Sequence, residues 1–221
     1  MKLSDFEQPS VTTDLVIFTI KENSLKVLLV KRNVEPFKDK WALPGGFVRI
    51  DESLEDSAKR ELFEETGVKN VYLEQLYSFG NPKRDPRGRV ITISYFALIN
   101  SEKVKLKAST DVSEAKLFSV SKIPLLAFDH KEILEYAIKR LKWKFEYTTI
   151  AFSLLPKKFS LGELQKIYEI VFEKKIDKRN FRKKILSLGI LKKESIKKDA
   201  PHRPPQLYSL KNKIGEIINI L

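Results

Sequence analysis

Three glutamates, Glu61, Glu64 and Glu65, stand close together in the stretch GFVRIDESLEDSAKRELFEETGV, residues 46–68. Ser53–Thr66 reads as a helix ended by Gly67. At one residue per about 100° of turn, the three carboxylates share one helix face within about 100° of each other. Leu54, Ala58 and Leu62 form an apolar stripe beside that face. Asp56, Lys59, Arg60 and Phe63 fall on the far side. A merely solvated acidic face would point away from the core stripe. Carboxylates crowded at the edge of a buried face repel one another, and a hard divalent cation relieves that repulsion. Such a cation, Mg²⁺ or Mn²⁺, takes few protein carboxylates and completes its shell with phosphate oxygens, so a diphosphate substrate suits the same site. The chemistry would be hydrolysis, with the metal neutralising the pyrophosphate and lowering the pKa of a water. Glu61 or Glu65 could be the general base. The alternative is a surface helix with i, i+4 ion pairs such as Asp56–Arg60.

The spacing is more specific than the cluster. Gly46 is followed after five residues by Glu52. After seven more come Arg60-Glu61-Leu62, and then Glu64-Glu65, Gly67 and Val68. The whole string resembles the Nudix signature at every fixed position. The resemblance covers about residues 10–145 and implies an α/β/α sandwich around a mixed sheet. It implies metal binding by Glu61, Glu64 and Glu65, helped by the Gly45 and Gly46 backbone, with Glu52 and Arg60 bracing loop and helix. In the ADP-ribose branch of that family a loop glutamate outside the box often contributes to catalysis, and Glu114 sits where that loop would lie. Phe79–Arg89 is a polar loop with basic residues suited to phosphate, or an ordinary hairpin tip. Its Arg84, Asp85, Arg87 and Arg89 resemble a subgroup associated with ADP-ribose, which implies AMP and ribose 5-phosphate as products. Trp41 or Phe37 could stack on adenine or pack in the core. His130 reads as helix-start structure.

Several elements must position these groups. Val16–Ile20 and Val27–Val30 read as strands of a hairpin turning at Asn23-Ser24, and Val90–Ile99 as a long strand. Asp129–Trp143 reads as a helix capped by Asp129, with Ile133, Leu134, Ala137 and Leu141 inward. Hydrophobic residues make up 42% of the 221, enough for a packed core, so the chain reads as a folded α+β protein.

The last third differs in charge. Residues 146–221 hold 17 Lys/Arg against 8 Asp/Glu, most of the chain's +13. Leu161–Phe172 reads as a helix opened by the capping box Ser160 and Glu163. Lys178–Leu188 reads as a second helix, with Asp177 as cap and Phe181, Ile185 and Leu188 inward. Two short strands follow, Ile190–Lys193 and Gln206–Leu210. This order is that of a small winged helix-turn-helix domain. The second helix would enter the major groove of double-stranded DNA through Lys178, Arg179, Arg182 and Lys183. The wing would add Lys197, Lys198, His202 and Arg203 on phosphates. A basic dimerisation module is the other reading. The division expected is residues 1–145 and 146–221. A Nudix domain with this tail resembles the Nudix-related transcriptional regulators, which sense ADP-ribose or a sugar, many with a degraded box and no hydrolysis. Here every box residue is kept. The resemblance also implies a homodimer.

The chain has no cysteine, which excludes disulfides, thiolate zinc sites and cysteine nucleophiles. Neither a signal peptide nor an apolar run near the ~20 residues of a membrane span is legible, so a cytoplasmic location without membrane partners is expected.

Overall fold

The computed structural model describes residues 2, 5–101, 112–196 and 205–218, without the side chains of 112, 113 and 196. Strand β1 (Ser10–Lys21) turns through Glu22 and Asn23 into β2 (Ser24–Arg32). Both turn residues have positive φ, 53° and 56°, and Lys21 faces Ser24 across the ladder. That pair of left-handed residues suits a two-residue hairpin, one position earlier than the Asn23-Ser24 turn read from the sequence.

Away from the turn the two strands splay. The gap is filled by β3 (Trp41–Ala42) on β2 and β4 (Gly45–Phe47) on β1. Beyond β1 lies β6 (Val90–Leu98), parallel to it from Ser10↔Val90 to Phe18↔Leu98, and then β5 (Tyr72–Phe79), antiparallel. Strand β7 (Val112–Ser119) covers the other edge of β2.

Alternation along β1 loads both faces of this mixed sheet. Leu15 and Ile17 pack with Ala58 and Leu62 of helix α1 (Leu54–Thr66). Val16 and Phe18 join Ile133, Leu134, Ala137 and Leu141 of helix α2 (His130–Tyr147) on the opposite face. The result is the α/β/α sandwich expected. Helix α2 runs four residues further than the periodicity suggested.

The second core extends without a break into the rest of the chain. A 3-10 turn, Thr149–Leu154, follows α2 directly. Next come β8 (Phe159–Ser160), α3 (Leu161–Phe172), α4 (Lys178–Ser187), β9 (Leu191–Ile196) and β10 (Gln206–Leu210). Helix α3 opens with the expected capping box, Ser160 accepting from Glu163 N–H while Glu163 accepts from Ser160 N–H. Tyr168, Phe181 and Ile185 share one cluster with Phe145 and Leu141 of α2. The buried Tyr168 hydroxyl donates to the Phe145 carbonyl at 3.1 Å. Strands β8, β10 and β9 form a small sheet beside the helices, completing a winged helix. No helix among the described residues is long and apolar enough to cross a membrane.

Candidate active site and nucleic-acid interface

Helix α1 is held at both ends by its own sequence. Ser53 accepts from Asp56 N–H at the N-terminus, and Gly67 closes the C-terminus at φ +66°. Buried Ser57 then meets Thr13 of β1, hydroxyl to hydroxyl at 3.0 Å, which fixes the helix against the strand carrying β4. This places Glu61 against Gly46 so closely that a Cβ at residue 46 would lie 2.3 Å from Glu61 Oε1. Gly45 is equally constrained, since a Cβ there would meet the Thr13 carbonyl at 2.3 Å. The glycine pair therefore brings bare backbone to the carboxylates.

Glu61 and Glu65 are buried, whereas the Glu64 side chain is 44% exposed. Arg60 departs from the far-side position read from its helix angle. Its guanidinium curls back to Glu52 at 2.7 Å and 3.0 Å and to Glu61 Oε1 at 2.6 Å, with Glu64 at 3.6 Å. The long arginine stem makes this reach possible. The Arg60 hydrogen bond holds the Glu52 carboxyl at a pKa of about 2. Glu61 is pushed the other way, raised by burial against the pull of Arg60. Among the described residues no three acidic or histidine side chains stand close enough together to hold a metal ion as they are. Glu61 and Glu65 lie inside and Glu64 at the surface, with Glu61 against the Gly46 backbone.

Glu65, Gly45 and Gly46 line a cavity of about 170 Å³ that also takes in Asp14, Arg84, Asp85, Arg87, Phe128 and His130. An adjoining cavity of about 360 Å³ shares Arg84 and Phe128 and reaches Phe37, Asn81 and Lys83. Arg84 is buried and bound on both sides, by Asp129 at 2.7 and 2.8 Å and by Asp14 at 3.1 Å. Burial alone would lower its pKa, but the hydrogen bonds and charges of Asp129 and Asp14 raise it. Arg87 forks onto Asp85 at 3.0 and 2.7 Å, and its guanidinium lies 5.2 Å from the Phe47 ring centre and 5.8 Å from that of Phe128. That hydrogen bonding lowers the Asp85 pKa. His130 Nδ1 accepts from Leu43 N–H at 2.9 Å, so the ring anchors the turn before Gly45 and its neutral form carries the proton on Nε2. Burial lowers its pKa. The helix-start role read for His130 is the geometry found.

Two expected positions are corrected. Glu114 stands on β7 opposite Lys31, not in a loop, and lies outside both cavities. Its neighbours across the ladder, Val30 and Arg32, face the cavity, so alternation turns Lys31 and Glu114 to the other side. Arg89 donates to the Gly80 carbonyl at 2.6 Å and braces the loop base instead of lining the cavity. Of the two candidate stacking rings, Trp41 packs edge-on to Phe118, while Phe37 meets Phe128 at the second cavity. Asp14, Phe47 and Phe128 were not singled out from the sequence. An acidic residue inside the apolar run Leu15–Phe18 and its flanks was the available signal for Asp14, because buried charge in a strand demands a partner.

At the other end of the molecule, Asp177 accepts from Asn180 N–H and starts α4. Phe181 and Ile185 are buried beneath it. Lys178, Arg179, Arg182 and Lys183 are exposed, and among the described residues they form no ion pair. Lys197, Lys198, His202 and Arg203 lie outside the described residues.

Comparison with known proteins agrees with both halves. A family model for the NUDIX domain matches residues 10–140, and one for the NrtR DNA-binding winged helix domain matches residues 151–210. The ADPR responsive transcriptional repressor NtrR of Acinetobacter baylyi is 42% identical over 209 residues, covering 93% of this chain and 83% of that protein. The ADP-ribose pyrophosphatase of Methanocaldococcus jannaschii is 41% identical over 137 residues, covering 62% of this chain and 75% of that protein. The crystal structure of Shewanella oneidensis NrtR complexed with a 27mer DNA has a TM-score of 0.81 at 37% identity, over 91% of this chain and 93% of that chain. This chain therefore belongs to the Nudix family, in the form that carries an NrtR-type winged helix domain behind the Nudix fold.

Proposed function

We propose that the protein binds ADP-ribose in the Nudix cavity, hydrolyses it to AMP and ribose 5-phosphate with a divalent metal, and binds double-stranded DNA through α4. The observation that carries this reading is the coexistence in one chain of an intact carboxylate set with Glu65 at a cavity and an exposed cationic helix with no ion pair among the described residues, built on the two cores that meet at β1. A relative that responds to ADP-ribose as a repressor and another that is an ADP-ribose pyrophosphatase support the two halves.

The donor chemistry fits a divalent metal: the three carboxylates offer hard oxygens, and Gly46, where a Cβ would collide with Glu61 Oε1, lets that carboxylate lie against bare backbone. Glu61, Glu64 and Glu65 would hold Mg²⁺ or Mn²⁺, which when bound offsets pyrophosphate charge and acidifies a water. Water attacks one phosphorus, the bond to the bridging oxygen breaks, and the bridging oxygen leaves on the other phosphate. Glu65 is the better placed general base, because it lines the cavity while Arg60 holds Glu61 Oε1. Arg87, locked by Asp85, offers its remaining donors to phosphate. Glu52 keeps Arg60 in place and so keeps Glu61 turned toward Gly46.

A second reading, ligand binding without turnover, is favoured by the 2.6 Å pair between Arg60 and Glu61, which neutralises one carboxylate of the set. Incubation of purified protein with ADP-ribose and Mg²⁺, with the products resolved by chromatography, decides between them. AMP and ribose 5-phosphate in equal amounts, lost in Glu65→Gln, are expected. Saturable ADP-ribose binding without product would replace the first reading by the second.

A further inference from the structure

Asp129 occupies the N-cap position of α2, yet its side chain makes no capping hydrogen bond. An N-cap aspartate ordinarily accepts from a backbone N–H of the first turn. The cap expected from the sequence is absent because both carboxylate oxygens turn away to Arg84. The residue before it, Phe128, is held at φ +52°, a conformation that bulky side chains rarely adopt. Phe128 lines both adjoining cavities, His130 the first and Asp129 the second. The start of α2 is thus part of the ligand site.

The far end of the same helix is part of the winged helix. Helix α2 has 18 residues, about 27 Å at 1.5 Å per residue. Phe145, near its C-terminus, packs with Tyr168 and receives the Tyr168 hydroxyl bond. A rod packed this continuously moves as a body when one end is displaced.

Charge at the first end makes it a device with two settings. Arg84 lies between two carboxylates, Asp14 and Asp129. An incoming pyrophosphate is drawn to the guanidinium and repelled by both acids, so its approach is favoured when one acid leaves. Asp14 sits in mid-strand, paired with Gly45 of β4, and a second donor near its carboxylate, His130 Nε2 at 3.8 Å, is beyond hydrogen-bond reach. Asp129 sits at a helix start where the His130 and Glu132 N–H groups already bond the Ala127 and Asp129 carbonyls, which leaves the Lys131 N–H to receive its carboxylate.

We propose, resting on the function proposed above, that Arg84 is exchanged between Asp129 and a ligand phosphate. The released Asp129 then caps α2, and the shift of the helix start is carried to the winged helix, changing its affinity for DNA. Asp129 is a positioning residue in this scheme and takes no part in hydrolysis.

The Asp129→Asn variant tests this, because asparagine can cap a helix but cannot hold Arg84 as an ion pair. The ligand is the methylene-bridged analogue of ADP-ribose, which cannot be cleaved at the bridge. The DNA is a duplex enriched from a random pool by the wild-type protein, and its binding is read by fluorescence anisotropy. Three results are expected. The analogue binds Asp129→Asn several-fold more tightly than wild type, since the acid no longer competes and coupling is reciprocal. Without ligand, the variant's DNA affinity already equals that of ligand-saturated wild type. Adding ligand changes it less than about twofold, against a full response of about 5–150-fold for a typical coupled pair. A merely structural Asp129 would weaken ligand binding instead. A wild-type response to ligand in Asp129→Asn overturns the proposal. Arg84→Lys guards against a folding defect, for a single ammonium cannot grip Asp129 through two parallel bonds. A full wild-type response in folded Arg84→Lys protein overturns the proposal equally. If wild type binds the analogue and its DNA affinity does not change, the exchange falls while the ligand-binding function proposed above stands.

Discussion

The two basic regions of this molecule use arginine in opposite ways. Around the Nudix cavity every arginine singled out has an acidic or carbonyl partner: Arg60 on Glu52, Arg84 on Asp14 and Asp129, Arg87 on Asp85, and Arg89 on Gly80. On α4 the cations Lys178, Arg179, Arg182 and Lys183 project into solvent, with no ion pair among the described residues. Pairing spends attraction on geometry, fixing where a small ligand's phosphates can sit. Unneutralised charge keeps its attraction for a polyanion and supplies affinity through counterion release, with little geometric demand. A count of basic residues would not separate these roles, whereas their partners do.

The largest effect is expected at Glu65, where Glu65→Gln should slow ADP-ribose hydrolysis about 10²–10⁴-fold while the methylene analogue still binds. Unchanged turnover would move the general base elsewhere. Next is the salt response of the DNA complex. With about six phosphate contacts, going from 50 to 200 mM salt should weaken binding about a thousandfold. Replacing Arg182 and Lys183 by alanine should lower the log–log slope by about two. A slope unaltered by this change would mean that α4 is not on the DNA.

A smaller effect is expected at the glycine pair. In Gly46→Ala the new Cβ would meet Glu61 Oε1, and Mn²⁺ affinity should drop about 10–100-fold, read by electron paramagnetic resonance, with DNA binding retained. The smallest effect belongs to Glu52. Its folded pKa of about 2 lies below the ordinary 4.5, so the stability it lends is present above about pH 4.5 and lost as pH falls toward 2. Thermal melts of wild type and Glu52→Gln should differ at pH 7 and converge through that acidic window. Convergence on raising the pH instead would contradict the Arg60 pairing.

Local chemistry was legible and distant partnership was not. Ser160 with Glu163, and Gly67 at the end of α1, announced themselves because caps act within one turn. The winged helix followed from helix order and charge for the same reason. Asp129 misled, since its capping role was overridden by Arg84, 45 residues earlier in the chain. Asp14 shows no partner in the sequence because that partner is 70 residues away. Glu114 reads as a loop residue because only strand register shows which side of a sheet a residue takes. Helix α2 outran its reading because Phe145 packs on Tyr168, a contact that no periodicity within α2 reveals.

The most direct test of the account is the affinity of one DNA duplex for the full chain, measured with and without saturating methylene-bridged ADP-ribose at constant salt. The ligand is expected to bind, and the dissociation constant for DNA then to shift by at least about fivefold. Saturable ligand binding with an unaltered DNA dissociation constant would contradict that expectation.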